Sequence, residues 1–398
     1  MLNYLGEVSG KALSAVFVVF AICALGYLLG RIEIKGVSLG SAGVLLVALA
    51  YGILCNFVPA FTIGEVSVNL WNASLKASYS TVSSIGTALF VTAVGLIAGP
   101  KFFRTFNRKS LSYILMGAVV IVAGALVTVL LLVLDKGLTP AMAVGLLMGG
   151  LTSTPGLSAA QDVVDSADLS AGYAIAYLFG VLGVVLFVQL VPKLLRVDIA
   201  KERESFVAAG AVTVKEDNKK RVQVDPLGFF PFVLAIGLGC LIGAIKIPGI
   251  NFSLGTSGGT LVAGLIVGHF GHIGPIDCRL KKETLNFFRE LGLVLFLAGA
   301  GVKGGVEFVA KFNPLYFLYG ALMTLIPMLL GFLLGKFVFK LSIFNNLGSI
   351  TGGMTSTPAL GALISTAGTD DVSSSYAATY PIALVMVVLV AKIILMVF

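Results

Sequence analysis

Gly149-Gly150-Leu151-Thr152-Ser153-Thr154-Pro155-Gly156-Leu157 and Gly352-Gly353-Met354-Thr355-Ser356-Thr357-Pro358-Ala359-Leu360 are two copies of one element, 203 positions apart. Tyr173 and Tyr177 recur at the same offset as Tyr376 and Tyr380, so the correspondence outlasts the motif. A repeat of this length decides the architecture before any local pattern does. The chain is duplicated, and its other features are read as pairs or as departures from pairing.

With small gaps more landmarks align. Gly26 to Gly30 with Gly36 matches Gly239 to Gly243 with Gly249, and Ser38 to Gly43 matches Ser253 to Gly258. Gly86, Leu89, Phe90, Gly95 and Gly99 fall on Gly292, Leu295, Phe296, Gly301 and Gly305. The expected units are a first repeat over 1–195, a charged linker over 196–226 and a second repeat over 227–398. The linker is rich in Lys, Arg, Asp and Glu and carries no nucleotide-binding pattern, so it reads as a solvated tether.

Hydrophobic residues make up 58% of the 398 residues and charged residues 12%, where soluble domains carry ~25% charge. Mean hydropathy is +1.02. Apolar runs such as Leu13 to Gly30, Val82 to Gly99 and Leu111 to Leu134 match the ~20 residues that cross a bilayer. The net charge of +8 comes from bases scattered between these runs without an aromatic platform, which argues against nucleic acid and for membrane orientation. Cys23, Cys55, Cys240 and Cys278 have no paired spacing, so neither disulfides, a metal nor another cofactor is expected. No basic segment precedes the first run, and no cleavable signal peptide is expected.

Each half has five full apolar runs, with the motif between the fourth and fifth. In the first half they are Leu13–Gly30, Leu39–Val58, Val82–Gly99, Leu111–Leu134 and Tyr173–Leu195; in the second, Leu227–Ala244, Thr256–Phe270, Phe287–Val302, Leu315–Val338 and Tyr376–Val397. If the motif enters and returns on one side, Lys and Arg divide twenty to seven across the membrane. If it spans, the division is eighteen to nine, and Lys101, Arg104, Arg108 and Lys109 fall on the sparse side. The positive-inside rule favours the first. The expected fold is therefore an all-α polytopic membrane protein of about ten transmembrane helices. These form two inverted repeats, each with a re-entrant or broken-helix motif. The termini are expected outside and the linker in the cytoplasm.

Within each motif Gly149-Gly150 and Gly352-Gly353 allow close backbone approach. Thr154-Pro155 and Thr357-Pro358 read as an N-cap followed by the first residue of a restarted helix. Such a break within the membrane needs protein or a water-filled cavity around it. A helix N-terminus there attracts an anion, and broken helices at matching places in two halves point to a transporter's binding site. The hydroxyls of Thr152, Ser153, Thr154, Thr355, Ser356 and Thr357 complete the expected site.

The doubled Gly-Gly-x-Thr-Ser-Thr-Pro-x-Leu element resembles the aspartate/alanine exchanger family of bacterial transporters, over nearly all of the chain outside the linker. The resemblance implies a secondary transporter that exchanges small carboxylate-bearing metabolites, an anionic or zwitterionic substrate, in the lipid bilayer. It also implies a pair of regulatory domains between the halves, for which the linker is too short. A homodimeric scaffold is expected by analogy.

Tyr173, Tyr177, Tyr376 and Tyr380 form two pairs one helical turn apart; they line the cavity or sit at the membrane interface. Lys303 is read as a partner for a substrate carboxylate or as a snorkelling end residue, and Lys392 as a snorkelling anchor. Asp162 is a possible coupling group, or else forms an exposed acidic rim with Asp165 and Asp168. Glu290 reads as a local partner of Arg289. His269 and His272 lack the companions of a metal site. A cation/proton antiporter, an anion channel and a membrane enzyme are the alternatives, in that order; no nucleophile and base are placed for the last.

Overall fold

The computed structural model describes residues 14–34, 37–38, 40–58, 60–63, 66–102, 111–199, 202, 221–247, 252–311, 313–369 and 372–398. The first half runs α1 (Ala15–Gly30), hairpin β1–β2 (Glu33–Ile34, Val37–Ser38), α2 (Ala42–Phe57), hairpin β3–β4 (Phe61–Ile63, Val66–Val68), α3 (Ala73–Phe102), α4 (Leu111–Leu134), α5 (Pro140–Gly150), α6 (Thr154–Gln161) and α7 (Ala167–Leu194). The second half follows the same order: α8 (Phe229–Ala244), β5–β6 (Lys246–Ile247, Phe252–Ser253), α9 (Gly255–Phe270), β7–β8 (His272–Ile273, Ile276–Asp277), α10 (Lys282–Lys311), α11 (Pro314–Phe337), α12 (Ile343–Gly353), α13 (Thr357–Ala367) and α14 (Ser373–Val397). Most of the linker, including 203–220, lies outside the described residues.

Helix starts follow capping chemistry. Thr139 accepts from Met142 N and Asn313 from Leu315 N, each ahead of a proline at the first helical position. Asp225 accepts from Leu227 N, Phe229 N and Phe230 N at the entry to α8, and these backbone donors hold its carboxyl below the usual range. The apolar runs locate the long helices well. However, α3 and α10 start about three turns and one turn early, because Ser- and Thr-bearing turns or charged turns extend them beyond the apolar stretch. The four antiparallel hairpins among the described residues have no counterpart in the sequence reading; strands of two or three residues leave no periodicity to read.

Among the described residues six helices, α3, α4, α7, α10, α11 and α14, are long and apolar enough to cross a membrane. The other four expected crossings, α1, α2, α8 and α9, are 16 residues each, or ~24 Å at ~1.5 Å per residue, short of a ~30 Å hydrocarbon core. Along α4, Leu126, Leu130 and Leu134 are each more than half exposed at four-residue spacing, a stripe suited to lipid rather than water.

The helices pack as two bundles, α1–α3 with α8–α10 and α4–α7 with α11–α14. In the first, equivalent helices α3 and α10 lie antiparallel: Gly86 approaches Gly292 and Phe296, Gly292 approaches Gly86 and Phe90, and Gly299 approaches Tyr79 and Ser83. Gly95 and Gly99 of α3 seat on Gly264 and Gly268 of α9, as Gly301 and Gly305 of α10 seat on Ala48 and Gly52 of α2. Small residues let these backbones touch. The Gly86 and Gly292 approaches mirror each other between the halves, as do those of Gly95 and Gly99 and of Gly301 and Gly305. The same logic shifts one sequence alignment by a residue, since Gly43 approaches Gly26 and Gly30 as Gly259, not Gly258, approaches Gly239 and Gly243.

Candidate functional site

The two motifs meet at their tips in the second bundle. Helix α5 ends with Ser153 N donating to Met148 O and Thr152 N to Gly149 O, and α12 ends with Ser356 N to Thr351 O and Thr355 N to Gly352 O. These are Schellman closures, yet the left-handed position is held by threonine, with φ 53° at Thr152 and 51° at Thr355. A side chain with Cβ pays about 1–2 kcal/mol there. What holds it is reciprocal: Thr152 Oγ1 donates to Met354 O at 2.9 Å and Thr355 Oγ1 to Leu151 O at 3.0 Å.

The motif's glycines serve packing. Gly149 and Gly352 lie inside their helices, where a Cβ would strike the backbone of Tyr173 and Tyr376, and Gly150 and Gly353 abut Thr324 and Val120. The helix restart falls one residue earlier than expected. Ser153, not Thr154, is the N-cap and accepts from Gly156 N at 3.3 Å, with Thr154 and Pro155 already helical. Ser356 is the cap of α13 but makes no cap bond, and its Oγ is buried without a partner among the described residues. The side chains of Thr357 and Pro358 lie outside the description.

The first motif segment turns back on itself. At the start of α5, Thr139 Oγ1 donates to Asp168 Oδ2 at the start of α7, and Gln161 Nε2 at the end of α6 donates to Ser170 Oγ on the same α7 turn region. Its entry and exit therefore lie beside the same turn region of α7, as in a hairpin.

A cavity of about 280 Å³ lies between the bundles. Thr152, Thr154, Pro155, Tyr177, Thr355 and Tyr380 line it from the tip side; Gly40, Ser41, Phe90, Val94, Arg289, Glu290 and Leu293 line it from the other. Tyr173 and Tyr376 stand behind the lining tyrosines with ring centroids 5.0 Å away. Tyr173 is fully buried, its hydroxyl 3.1 Å from Thr154 Oγ1. The structure thus brings three of the six motif hydroxyl residues and both tyrosine pairs to one place.

The family described as a predicted permease membrane region matches residues 18–193 and again 231–396. The chain belongs to this aspartate/alanine exchanger family. An uncharacterized transporter of Bacteroides fragilis is 28% identical over 541 aligned positions, which take in 96% of this chain and 98% of that protein. One from Bacteroides thetaiotaomicron matches to the same extent, and one from Desulfotalea psychrophila is 23% identical over 543 positions. Alignments of that length against 398 residues mean that these transporters carry residues this exchanger-family member lacks. The protein is a multi-pass membrane transporter.

Several charges of the permease sit elsewhere than expected. Lys392 is no snorkelling anchor. It is 1% exposed, and its Nζ lies 3.7 Å from Asp162 Oδ2. Asp162 also accepts from Ser257 N at 3.0 Å, capping the first turn of α9. Although its backbone is exposed, its side chain is only 20% so. Lys303 does not line the cavity; it donates to Asp165 Oδ1 at 2.6 Å. With Asp168 buried and Asp162 and Asp165 each held by a lysine, the three aspartates are not a free acidic rim. His269 and His272 close α9 and open β7, with no metal-ligand cluster among the described residues. Missed by sequence reasoning were Gly40, Ser41, Phe90, Val94, Leu293 and the placement of Arg289 and Glu290. No local pattern links them, because the cavity wall is assembled from three helices.

Proposed function

We propose that the protein is a secondary antiporter of the bacterial inner membrane that exchanges small carboxylate-bearing metabolites by alternating access. The observation that carries this is the cavity between the bundles, to which both hairpin tips contribute and in which Arg289 lies. The N-termini of α6 and α13 each present partial positive charge and free N–H groups beside it, and an arginine adds a fork suited to a carboxylate. Residues Thr152, Ser153, Thr154, Thr355, Ser356 and Thr357, with Tyr177 and Tyr380, are the residues assigned to the substrate.

Antiparallel packing of the equivalent helices α3 and α10 supports two inverted repeats, and hairpin motifs give each half the odd number of crossings that inversion requires. With the linker cytoplasmic, the cavity opens inward, beside β1–β2 and the start of α10. At the outer end, Lys303 of the first bundle holds Asp165, and α9 holds Asp162, both from the loop after α6. A path shut at one end and open at the other favours a carrier over a channel. The bundle of α1–α3 and α8–α10 serves as scaffold, on which a homodimer would form, and the tip-bearing bundle moves against it.

Purified protein in liposomes, loaded with alanine, aspartate, succinate or nothing, tests this with labelled aspartate outside. Uptake that requires an internal carboxylate is the expected result. Uptake indifferent to the contents would replace exchange with net transport or conductance, and none with any loading would remove carboxylate exchange.

A further inference from the structure

One feature of the cavity is not explained by the repeat. Arg289 and Glu290 are consecutive on α10, whereas α3 carries Ser83 and Ser84 at the equivalent positions, 206 residues earlier. Both charged residues are partly buried and line the cavity. Neither neutralises the other: among the described residues no ion pair joins Arg289 to a carboxylate or Glu290 to a cation. Glu290 Oε1 accepts one bond, 2.8 Å from Tyr27 Oη, which leaves its charge intact. Arg289 lies close enough to Tyr380, and Glu290 to Tyr177, to interact electrostatically. The two repeat-related tyrosines of one symmetric pair thus receive opposite charges.

We propose that Arg289 and Glu290 determine specificity at this site by charge, Arg289 taking a carboxylate and Glu290 an ammonium group, so that a zwitterion is preferred to a dicarboxylate of similar size. The proposal rests on the reading of the cavity as the transport site. Among the described residues neither charge meets an opposite one, Glu290 being bonded only to a neutral hydroxyl, so each has given up water without a counter-charge in return. One ligand bearing both opposite charges satisfies both, through charge-assisted hydrogen bonds. Succinate satisfies Arg289 and the helix termini, but sets its second carboxylate against Glu290. An amine without a carboxylate meets the converse conflict. The helix N-termini alone make no such distinction, since they favour any anion.

The test is exchange in liposomes by the full chain, with apparent KM measured for alanine, aspartate and succinate. The wild type is expected to take the two amino acids at a KM about ten- to a hundredfold below that for succinate, the worth of one charge-assisted bond. Glu290→Gln should close that gap, raising KM for the amino acids and sparing or improving succinate, while Glu290→Asp keeps the preference. Arg289→Gln should weaken all three. If Glu290→Gln raises every KM by one common factor, Glu290 only supports the cavity wall and the proposal fails. A wild type that exchanges all three without preference also overturns it, needs no variant to fold, and leaves the transport site standing. A wild type that exchanges none of them overturns the site reading, and this proposal with it.

Discussion

The two ends of the molecule are built from equivalent helices and differ in charge. At one, Asp162 and Asp165 reach from the loop after α6 to Lys392, Lys303 and the first turn of α9. At the other, the equivalent positions of those aspartates are Ser365 and Gly368, and those of the lysines are Gln189 and Ile97. There Gly40 and Ser41, at the start of α2, line the cavity instead of being bridged. A common backbone is therefore bridged by charged side chains at one end and lines a cavity at the other. The difference resides in a few side chains, and the fold itself does not choose. The ends should be separable by mutation.

The largest effect is expected at Asp162. Asp162→Asn leaves the Lys392 ammonium, 1% exposed, without its counter-charge, and uncovering one partner of a buried pair costs about 3–5 kcal/mol. A marked fall in thermal stability in detergent is the expected outcome. Adding Lys392→Met removes the stranded charge and should recover most of the loss. If the double variant is no better than the single, the carboxylate acts through Ser257 N alone and the ion pair contributes nothing to closure.

Between the ends the halves are close to equal, and the tips measure how close. Thr152→Val and Thr355→Val each remove one reciprocal bond and leave a buried carbonyl short of a donor, about 1–3 kcal/mol. Similar losses of stability from both are expected; a large difference would mean that one bond dominates the junction. The caps should differ. Ser153→Ala removes a bonded N-cap and should cost about 1 kcal/mol, whereas Ser356→Ala removes an unpartnered hydroxyl and should leave stability unchanged or raised. If Ser356 is kept for substrate, its loss appears in KM and not in melting, and no change in either would take it out of the site.

These asymmetries mark where sequence reading ends. Duplication, the long helices and the helix restart were legible because each leaves a pattern within a short window: a repeated motif, an apolar run, a proline after a hydroxyl residue. The cap fell at Ser153 rather than Thr154 because Thr152 takes the left-handed position usually given to glycine, a strain that only the partner tip makes tolerable. Lys392 looked like a terminal anchor because its partner, Asp162, lies 230 positions away. Arg289 and Glu290 looked like a local pair for the complementary reason: adjacency in sequence suggests pairing, yet consecutive residues on a helix do not face each other. Membership in one cavity wall is a tertiary fact, and it reassigns both.

The smallest effect should come from Lys303, and it tests whether the shut end is a latch. Asp165 is 65% exposed, so water replaces much of what Lys303 provides, and the pair should be worth no more than about 1 kcal/mol. Ser170 packs against Gly304 on the neighbouring turn of α10 and is 2% exposed, which makes it a reporter for opening there. In a Cys240→Ser background, Ser170→Cys should label slowly with a membrane-impermeant reagent. Lys303→Met should speed that labelling by up to about fivefold, the population shift that ~1 kcal/mol permits. Added salt should do the same to the parent and little to the variant, since screening acts only on a pair that is present. Labelling unchanged by Lys303→Met would leave Asp162 as the closing contact of that end, with Lys303 and Asp165 a surface pair.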